Sequence, residues 1–174
     1  MLYELLAGGE RSSLPGAAPM VGQDGVLTGP FNAMLHSPGV GEPLQALGTA
    51  LRTRTGLDAR VREMVVLLVA SHLSSEVEWA GHARMARGLG VPERVLADLG
   101  AGALPAELPG EYAEPGRCAL ALARQLLTGD GIGDDFERQA AVLGDSGIFE
   151  VTTLVGYYWM LARQLAVFGV TPLD

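Results

Sequence analysis

The feature that most constrains this chain is an uninterrupted apolar run from Met64 to Ala70. Because apolar residues occupy every position of the run, it favours a helix that is buried on most sides. Asp58 precedes the run and is typical of an N-cap residue, since its carboxylate can accept the free N–H groups of the first turn. We therefore predict a central buried helix that begins after Asp58.

A second helix is predicted directly after the first, so that residues 58–91 form a helical hairpin. Ser74 and Ser75 can cap this helix, and Glu78 follows at the spacing of a capping box. Residues 88–92 contain two glycines and a proline, which are typical of one helix ending and the next beginning.

The rest of the chain also favours helices. No stretch combines strand alternation with hairpin turns, and apolar residues recur at helical spacing. We predict one all-α domain over residues 1–174, a helical bundle built on the central hairpin, with an N-terminal arm at 1–28 and a Gly/Pro linker at 100–116. Further helices are predicted at 29–40 (closed by Ser37-Pro38-Gly39), 41–55, 92–99, 117–127, 134–143 and 148–168.

Charge and cysteine content exclude several classes of protein. The net charge is −8, which disfavours nucleic acid as a partner because phosphate binding needs a basic surface. Cys118 is the only cysteine, so no internal disulfide can form. The first residues include Glu4 and no basic flank, unlike a signal peptide, and no apolar run reaches the roughly 20 residues of a membrane span. We expect a soluble, cytoplasmic protein with no membrane partner.

The central hairpin also carries the most promising titratable residues: Glu63, Glu78 and His82. Glu78 and His82 are four positions apart and share a helix face. A carboxylate at the edge of an apolar helix and a nearby imidazole suit general acid–base catalysis. An alternative is that Glu78 caps its helix and forms an exposed surface pair with His82.

Three further residues are candidates for a substrate pocket. Ser75 lies on the same helix face as His82, and Trp79 lies beside that face. His36 ends a predicted short helix, where a cation is favoured. Tyr157, Tyr158 and Trp159 are predicted as core aromatics.

No cofactor or metal is predicted. The chain has no Gly-rich nucleotide loop and no Gly-x-Ser-x-Gly nucleophile motif. One histidine with two glutamates is a poor ligand set for zinc.

The central hairpin resembles the carboxymuconolactone decarboxylase family, whose members share an alkylhydroperoxidase D-like (AhpD-like) all-helical fold. The resemblance is specific over about residues 25–100. It is carried by Arg62-Glu63, by Glu76-Val77-Glu78-Trp79-Ala80-Gly81-His82 and by Gly88-Leu89-Gly90-Val91.

The alkylhydroperoxidase branch of this fold has a glutamate, then a Cys-x-x-Cys pair, then a histidine. In this chain those positions are Glu63, Ser75, Glu78 and His82. Disulfide peroxidase chemistry needs thiolates, which serine and glutamate cannot replace. Thiol peroxidase activity is therefore not expected, and the chain resembles the cysteine-free branch that includes the decarboxylases.

The resemblance implies a cofactor-free lyase or isomerase that acts on a small lactone or related carboxylate. In such a reaction His82 is the proton donor or oxyanion partner, Glu63 or Glu78 orients its ring, and Trp79 helps to exclude water. Two alternatives stay open. One is a secondary-metabolism enzyme for ring opening, cyclisation or isomerisation, and the other is a non-catalytic small-molecule-binding protein.

The resemblance also implies a homo-oligomer, either a trimer or a hexamer. A carboxylate substrate calls for an arginine, because the guanidinium group binds carboxylates bidentately. The arginines near the central hairpin are Arg52, Arg54, Arg60, Arg62 and Arg84.

Overall fold

The computed structural model describes residues 2–7, 21–22, 25–129 and 131–172, and these residues confirm the all-α prediction. Within these ranges the only β pairing is one antiparallel bridge between Val21 and Leu27. The helices are α1 (Leu2–Ala7), α2 (Phe31–Met34), α3 (Pro38–Thr53), α4 (Ala59–His72), α5 (Glu76–Gly88), α6 (Glu93–Gly100), α7 (Ala113–Thr128) and α8 (Phe136–Val167).

Helix α4 lies at the centre of the fold, as the apolar run predicts. It packs against α5, α6, α7 and α8, and every residue of the run is buried. Asp58 is its N-cap, with Oδ1 accepting the N–H of Arg60 at 2.8 Å. Burial of one large aliphatic side chain contributes about 1.5–3 kcal/mol, so this helix is a main source of stability.

Two predicted helix boundaries are wrong because proline starts a helix at each place. Ser37-Pro38-Gly39 does not close α2 but begins α3, with Ser37 as N-cap and Pro38 in the first turn. Helix α7 begins at Ala113 and not at residue 117, so that Pro115 also lies in a first turn. The missing N–H of proline costs nothing there, since first-turn N–H groups have no partner within the helix.

Helix α8 joins the last two predicted helices across a kink. Gly144 has φ 66° and ψ 171°, a conformation with positive φ that glycine adopts readily, and it lies within the predicted break at 144–147. Trp159 was predicted in the core but is 47% exposed. Tyr157 and Tyr158 take the buried positions, and a helix turns the next side chain outward.

The N-terminal arm is described only in part. A helical turn near Tyr3 was predicted, and the structure has α1 there, with Leu2 and Leu6 buried and α1 packed against α3. Residues 8–20 and 23–24 of the predicted arm lie outside the described residues. None of the helices described is long and apolar enough to cross a bilayer.

We expect Gly48→Ala in α3 to lower the free energy of unfolding by about 1–3 kcal/mol, the usual cost of overpacking. A Cβ at Gly48 would overlap the hydroxyl of buried Tyr157 and lie 2.9 Å from its Cζ. Urea denaturation measures the change. Gly39→Ala in the same helix is the matched control, because its Cβ would meet nothing within 4 Å. Equal stability of the two variants would contradict the close packing of α3 on α8.

Candidate functional site

The central hairpin buries one imidazole between two carboxylates. His82 Nδ1 lies 2.6 Å from Glu63 Oε2, and His82 Nε2 lies 3.3 Å from Glu78 Oε2. His82 is only 2% exposed, and both glutamates are buried as well. The three predicted catalytic residues therefore meet, and the alternative of an exposed surface pair does not hold.

The join between α4 and α5 sets this geometry. Ser74 has φ 52°, a left-handed conformation that is uncommon for a residue other than glycine. The N–H of Ser75 donates to the carbonyl of Ala70 at 2.8 Å, which closes the turn. The hairpin then places Glu63, near the start of α4, opposite His82 in the middle of α5.

Both carboxylates favour the protonated imidazole. Burial lowers the pKa of His82, but the charges and hydrogen bonds of Glu63 and then Glu78 outweigh burial, so the pKa is raised. An imidazolium has an N–H on each nitrogen and can donate to both neighbours at once. The protonated form of the buried His82 is thus favoured.

A fourth charge balances the cluster. Arg62 Nε lies 3.6 Å from Glu63 Oε1. With Arg62 and protonated His82, two positive groups face two carboxylates. Unpaired buried charges carry a large desolvation penalty, so this balance is what allows three ionisable groups to be buried together.

Aromatic residues of α8 close one side of the cluster. The ring of Tyr158 lies edge-on to the ring of His82, with centroids 4.9 Å apart and planes at 88°. Tyr157 packs in turn against Tyr158 at 5.2 Å. This wall covers one side of His82 and restricts the orientation of the imidazole.

Glu78 does not form the predicted capping box. Ser75 is the N-cap of α5, but its side chain makes no capping hydrogen bond, and Glu78 turns towards His82 instead. A charge-assisted contact in a buried site is stronger than a capping bond near solvent, which explains the choice. Within the described part of the chain, Oε1 of Glu78 is buried and has no hydrogen-bond partner.

Ser75 and Trp79, predicted as pocket residues, line one cavity of about 550 Å³ at the start of α5. Its other polar lining comes from Ser71, Ser74 and Glu76. Glu63, Glu78 and His82 are not among the lining residues, because all three are buried within the hairpin. The cavity and the buried cluster therefore share helix α5 but do not meet in this structure.

His36 does not join this cavity. It is exposed and stacks on Phe168, with ring centroids 5.1 Å apart and planes at 9°. Helix α2 buries Phe31 and Met34, which leaves the side chain of His36 on the outside. Its predicted place in the pocket with Ser75 and Trp79 is not what the structure shows.

Two contributors to the site were not singled out from sequence. Arg62 was one of five candidate arginines, and its place next to Glu63 was the available signal. Tyr158 was predicted as a core aromatic that could also form the wall of a pocket, but nothing in the spacing of α8 indicates which turn faces His82.

The described residues provide neither a cluster arranged for metal binding nor a reactive thiolate. Across the described ranges, no group of three or more His, Cys, Asp or Glu side chains is arranged to hold a metal ion. Cys118 lies on α7, and burial raises the pKa of its thiol, which disfavours the reactive thiolate. The prediction that the protein uses no metal stays a prediction.

Comparison with known proteins confirms the predicted resemblance. Residues 38–111 match the carboxymuconolactone decarboxylase family, and this segment contains the whole Glu63–Glu78–His82 cluster. Over these residues the chain is similar to this family, and its fold is AhpD-like. No curated protein sequence gives a significant match.

Solved structures agree on the fold. A protein of unknown function from Agrobacterium tumefaciens, whose name refers to the antioxidant defence protein AhpD, is 21% identical with a TM-score of 0.70, covering 82% of this chain and 97% of its own. An uncharacterised peroxidase-related protein from Ralstonia eutropha JMP134 is 18% identical with a TM-score of 0.69, covering 83% and 76%. The debrominase Bmp8 is 13% identical with a TM-score of 0.73, covering 99% and 86%. At these identities the likeness concerns the fold alone.

The raised pKa of His82 predicts a pH-dependent stability. The protonated form is favoured in the folded state, so the contribution of His82 is complete below the unfolded pKa of about 6.5 and is lost as pH rises through the folded pKa. Urea denaturation from about pH 5.5 to 8, below the range where Cys118 and Tyr112 titrate, should show the wild-type stability falling relative to His82→Gln.

Exposed His72 on α4 offers the control, since His72→Gln should keep the wild-type profile. The pKa of His82 can also be measured directly by NMR titration of the imidazole. A folded-state pKa below about 6.5, or parallel profiles for wild type and His82→Gln, would contradict the assigned electrostatics.

Proposed function

We propose that this protein is a cofactor-independent lyase or isomerase of the carboxymuconolactone decarboxylase type, acting on a small lactone or related carboxylate by general acid–base catalysis. The observation that supports this is the buried imidazole of His82 with a carboxylate on each nitrogen. The match to this family over residues 38–111 supports the same class of chemistry.

The three residues have different roles in this proposal. Glu63, at 2.6 Å from Nδ1, fixes the orientation of the ring and stabilises its charge. His82 holds the proton. Glu78 transfers it towards the substrate, because Glu78 is ion-paired with Nε2 and, among the described residues, its second oxygen has no hydrogen-bond partner.

Decarboxylation then proceeds with a complete proton balance. The bond between the ring carbon and the carboxylate breaks, CO2 leaves, and the electron pair is delocalised into the lactone carbonyl. Nε2 of His82 gives its proton to Glu78. The Glu78 carboxyl, which does not line the cavity in this structure, then has to turn towards the cavity to deliver that proton to the carbon. Solvent reprotonates His82 to complete the cycle. General acid catalysis of this kind contributes about 10²–10⁴-fold in rate.

The cavity at Ser75 and Trp79 is the proposed substrate site. Its volume of about 550 Å³ suits a small ring compound. The hydroxyls of Ser74 and Ser75 can donate hydrogen bonds to a lactone carbonyl or a carboxylate, whereas the hydroxyl of Ser71 donates to the carbonyl of Gly100 at 3.3 Å. Trp79 provides an apolar wall that excludes water, which strengthens these contacts.

A secondary-metabolism enzyme that uses the same residues is the second candidate function. The debrominase Bmp8, as a cysteine-to-alanine variant, was solved with 2,3,4-tribromopyrrole, so a small ring compound is the ligand of a protein with this fold. Some neighbours are named peroxidase-related. We do not propose peroxidase activity for this chain, because Ser75 and Glu78 occupy the two positions that need thiols.

We expect Glu78→Gln and His82→Ala each to lower the turnover of 4-carboxymuconolactone at least about 100-fold, because each removes the proposed proton path. Ultraviolet absorbance of the lactone measures turnover. The matched controls are Glu137→Gln, which changes an exposed glutamate of α8 outside the substrate cavity, and His72→Ala. Both should retain activity close to wild type.

The outcomes separate the candidate functions. If wild type does not turn over this lactone, a panel of other lactones and small carboxylates tests the broader class with the same variants. Full activity of Glu78→Gln and His82→Ala on a substrate that wild type converts would contradict the proposed chemistry. Binding without turnover of any of these compounds would instead support the small-molecule-binding protein.

We also propose that the protein is a homo-oligomer, a trimer or a hexamer. Several large apolar side chains of α8 and its C-terminal end face outward: Phe149 and Val167 are 72% and 81% exposed, and Phe168 is half exposed. Exposed apolar patches of this kind mark protein–protein contacts. Light scattering should give a mass of three or six chains, and a mass equal to one chain would contradict the proposal.

A further inference from the structure

A second cavity, of about 350 Å³, lies at the N-terminal end of α4, whereas the proposed substrate cavity lies at the C-terminal end of that helix. The α3–α4 loop, the loop before α7 and the kinked part of α8 enclose it. Its apolar lining includes Leu57, Val61, Val142 and Leu143. It shares no lining residue with the cavity at Ser75 and Trp79.

Carboxylates dominate the polar side of this second cavity. Asp58 is ion-paired with Arg60 at 2.6 Å, and Glu111 is a more distant partner of the same arginine at 3.6 Å. Glu150 accepts the N–H of Gly56 with both oxygens at 3.0 Å. In the part of the chain that the structure describes, no cation is paired with Glu150. Arg60 is thus ion-paired with two of the three carboxylates, while Glu150 accepts hydrogen bonds from Gly56 and from the hydroxyl of Ser146 at 3.4 Å.

Tyr112 adds an independent sign of a missing partner. Its side chain lines the cavity, it is only 4% exposed, and its hydroxyl has no hydrogen-bond partner within the described ranges. Arg60 lies over the ring, 4.1 Å from the centroid, so the guanidinium contacts the ring and not the oxygen. Burial raises the pKa of Tyr112, so the oxygen carries a neutral hydroxyl that can accept a hydrogen bond. Buried hydroxyls are almost always hydrogen-bonded, and a ligand in the cavity can supply the bond.

We propose that this cavity binds a small aliphatic amine in its ammonium form. The ammonium group donates to Glu150 and to the Tyr112 oxygen, and the hydrocarbon part lies against Leu57 and Val61. A bare metal ion fits less well, since the described residues do not bring three or more carboxylate, thiol or imidazole groups to one point. Opposite charge, an unpartnered acceptor and an apolar wall are the three features that such a ligand needs.

The proposal does not depend on the function of the Glu63–His82–Glu78 cluster. None of the three lines the second cavity. Amine binding can therefore be measured without any turnover assay, and failure of either proposal leaves the other standing.

Isothermal titration calorimetry with 1,4-diaminobutane tests this site, in about 0.15 M NaCl so that contacts between exposed charges are screened. We expect saturable binding by wild type. 1,4-Butanediol, which has the same chain length without charge, should not bind. Glu150→Gln should weaken the affinity at least about tenfold, because it removes the charge, while its amide oxygen can still accept the N–H of Gly56.

Two further variants make the assignment specific. Tyr112→Phe keeps the ring beneath Arg60 and removes only the hydroxyl, so it should weaken binding severalfold. Glu137→Gln removes an exposed carboxylate of α8 outside the cavity and should bind as wild type does. Absence of binding, equal binding of the diol, or equal losses in Glu150→Gln and Glu137→Gln would overturn the proposal, because the last result would indicate only the general attraction of a cation to an acidic protein.

Discussion

The contact between Glu63 and His82 is the interaction on which the candidate site depends. It joins the two helices of the central hairpin across 2.6 Å, inside an otherwise apolar core. An imidazole buried without partners would be neutral. Because Glu63 and Glu78 lie on its two nitrogens, the charged form is favoured, and Arg62 offsets the excess negative charge. The apolar run of α4 thus has two effects: it stabilises the fold, and it surrounds the cluster with a low dielectric in which each charge–charge contact is stronger than in water.

The sequence predicted most of the fold because its strongest signals are local. The run from Met64 to Ala70 can be buried only if other helices surround it, and Asp58 marks its start, so α4 was correct almost to the residue. Boundaries failed at Pro38 and Pro115, where the same residue type is compatible with the end of one helix and the start of the next. The prediction that Trp159 is buried was wrong for a related reason. Three consecutive aromatic residues of a helix cannot all face the core, and only packing decides which two do.

The candidate site was predicted in part. Glu78 and His82 share a helix face because they are four residues apart. The contact between Glu63 and the same imidazole depends on the tight join at Ser74. Resemblance to a family indicated this contact, whereas spacing alone did not. Glu78 contacts His82, four residues further along the same helix, instead of capping that helix, because a sequence pattern does not show which of two possible local contacts is stronger. His36 failed because its neighbours in the fold, not its neighbours in sequence, determine where an exposed ring packs.

Ser75, Glu78, Trp79 and His82 all belong to α5 or its N-cap, whereas Glu63 belongs to α4. A small shift of α5 along its neighbour, hinged at the left-handed Ser74, would therefore change only one of the two imidazole contacts. The Nε2 contact travels with the helix, while the Nδ1 contact stretches. Such a displacement would weaken the hold on the proton without moving Ser75 or Trp79 relative to the ring. Ser71 of α4, which lines the same cavity, would shift relative to all three, so the basicity of the imidazole and the shape of the cavity would change together.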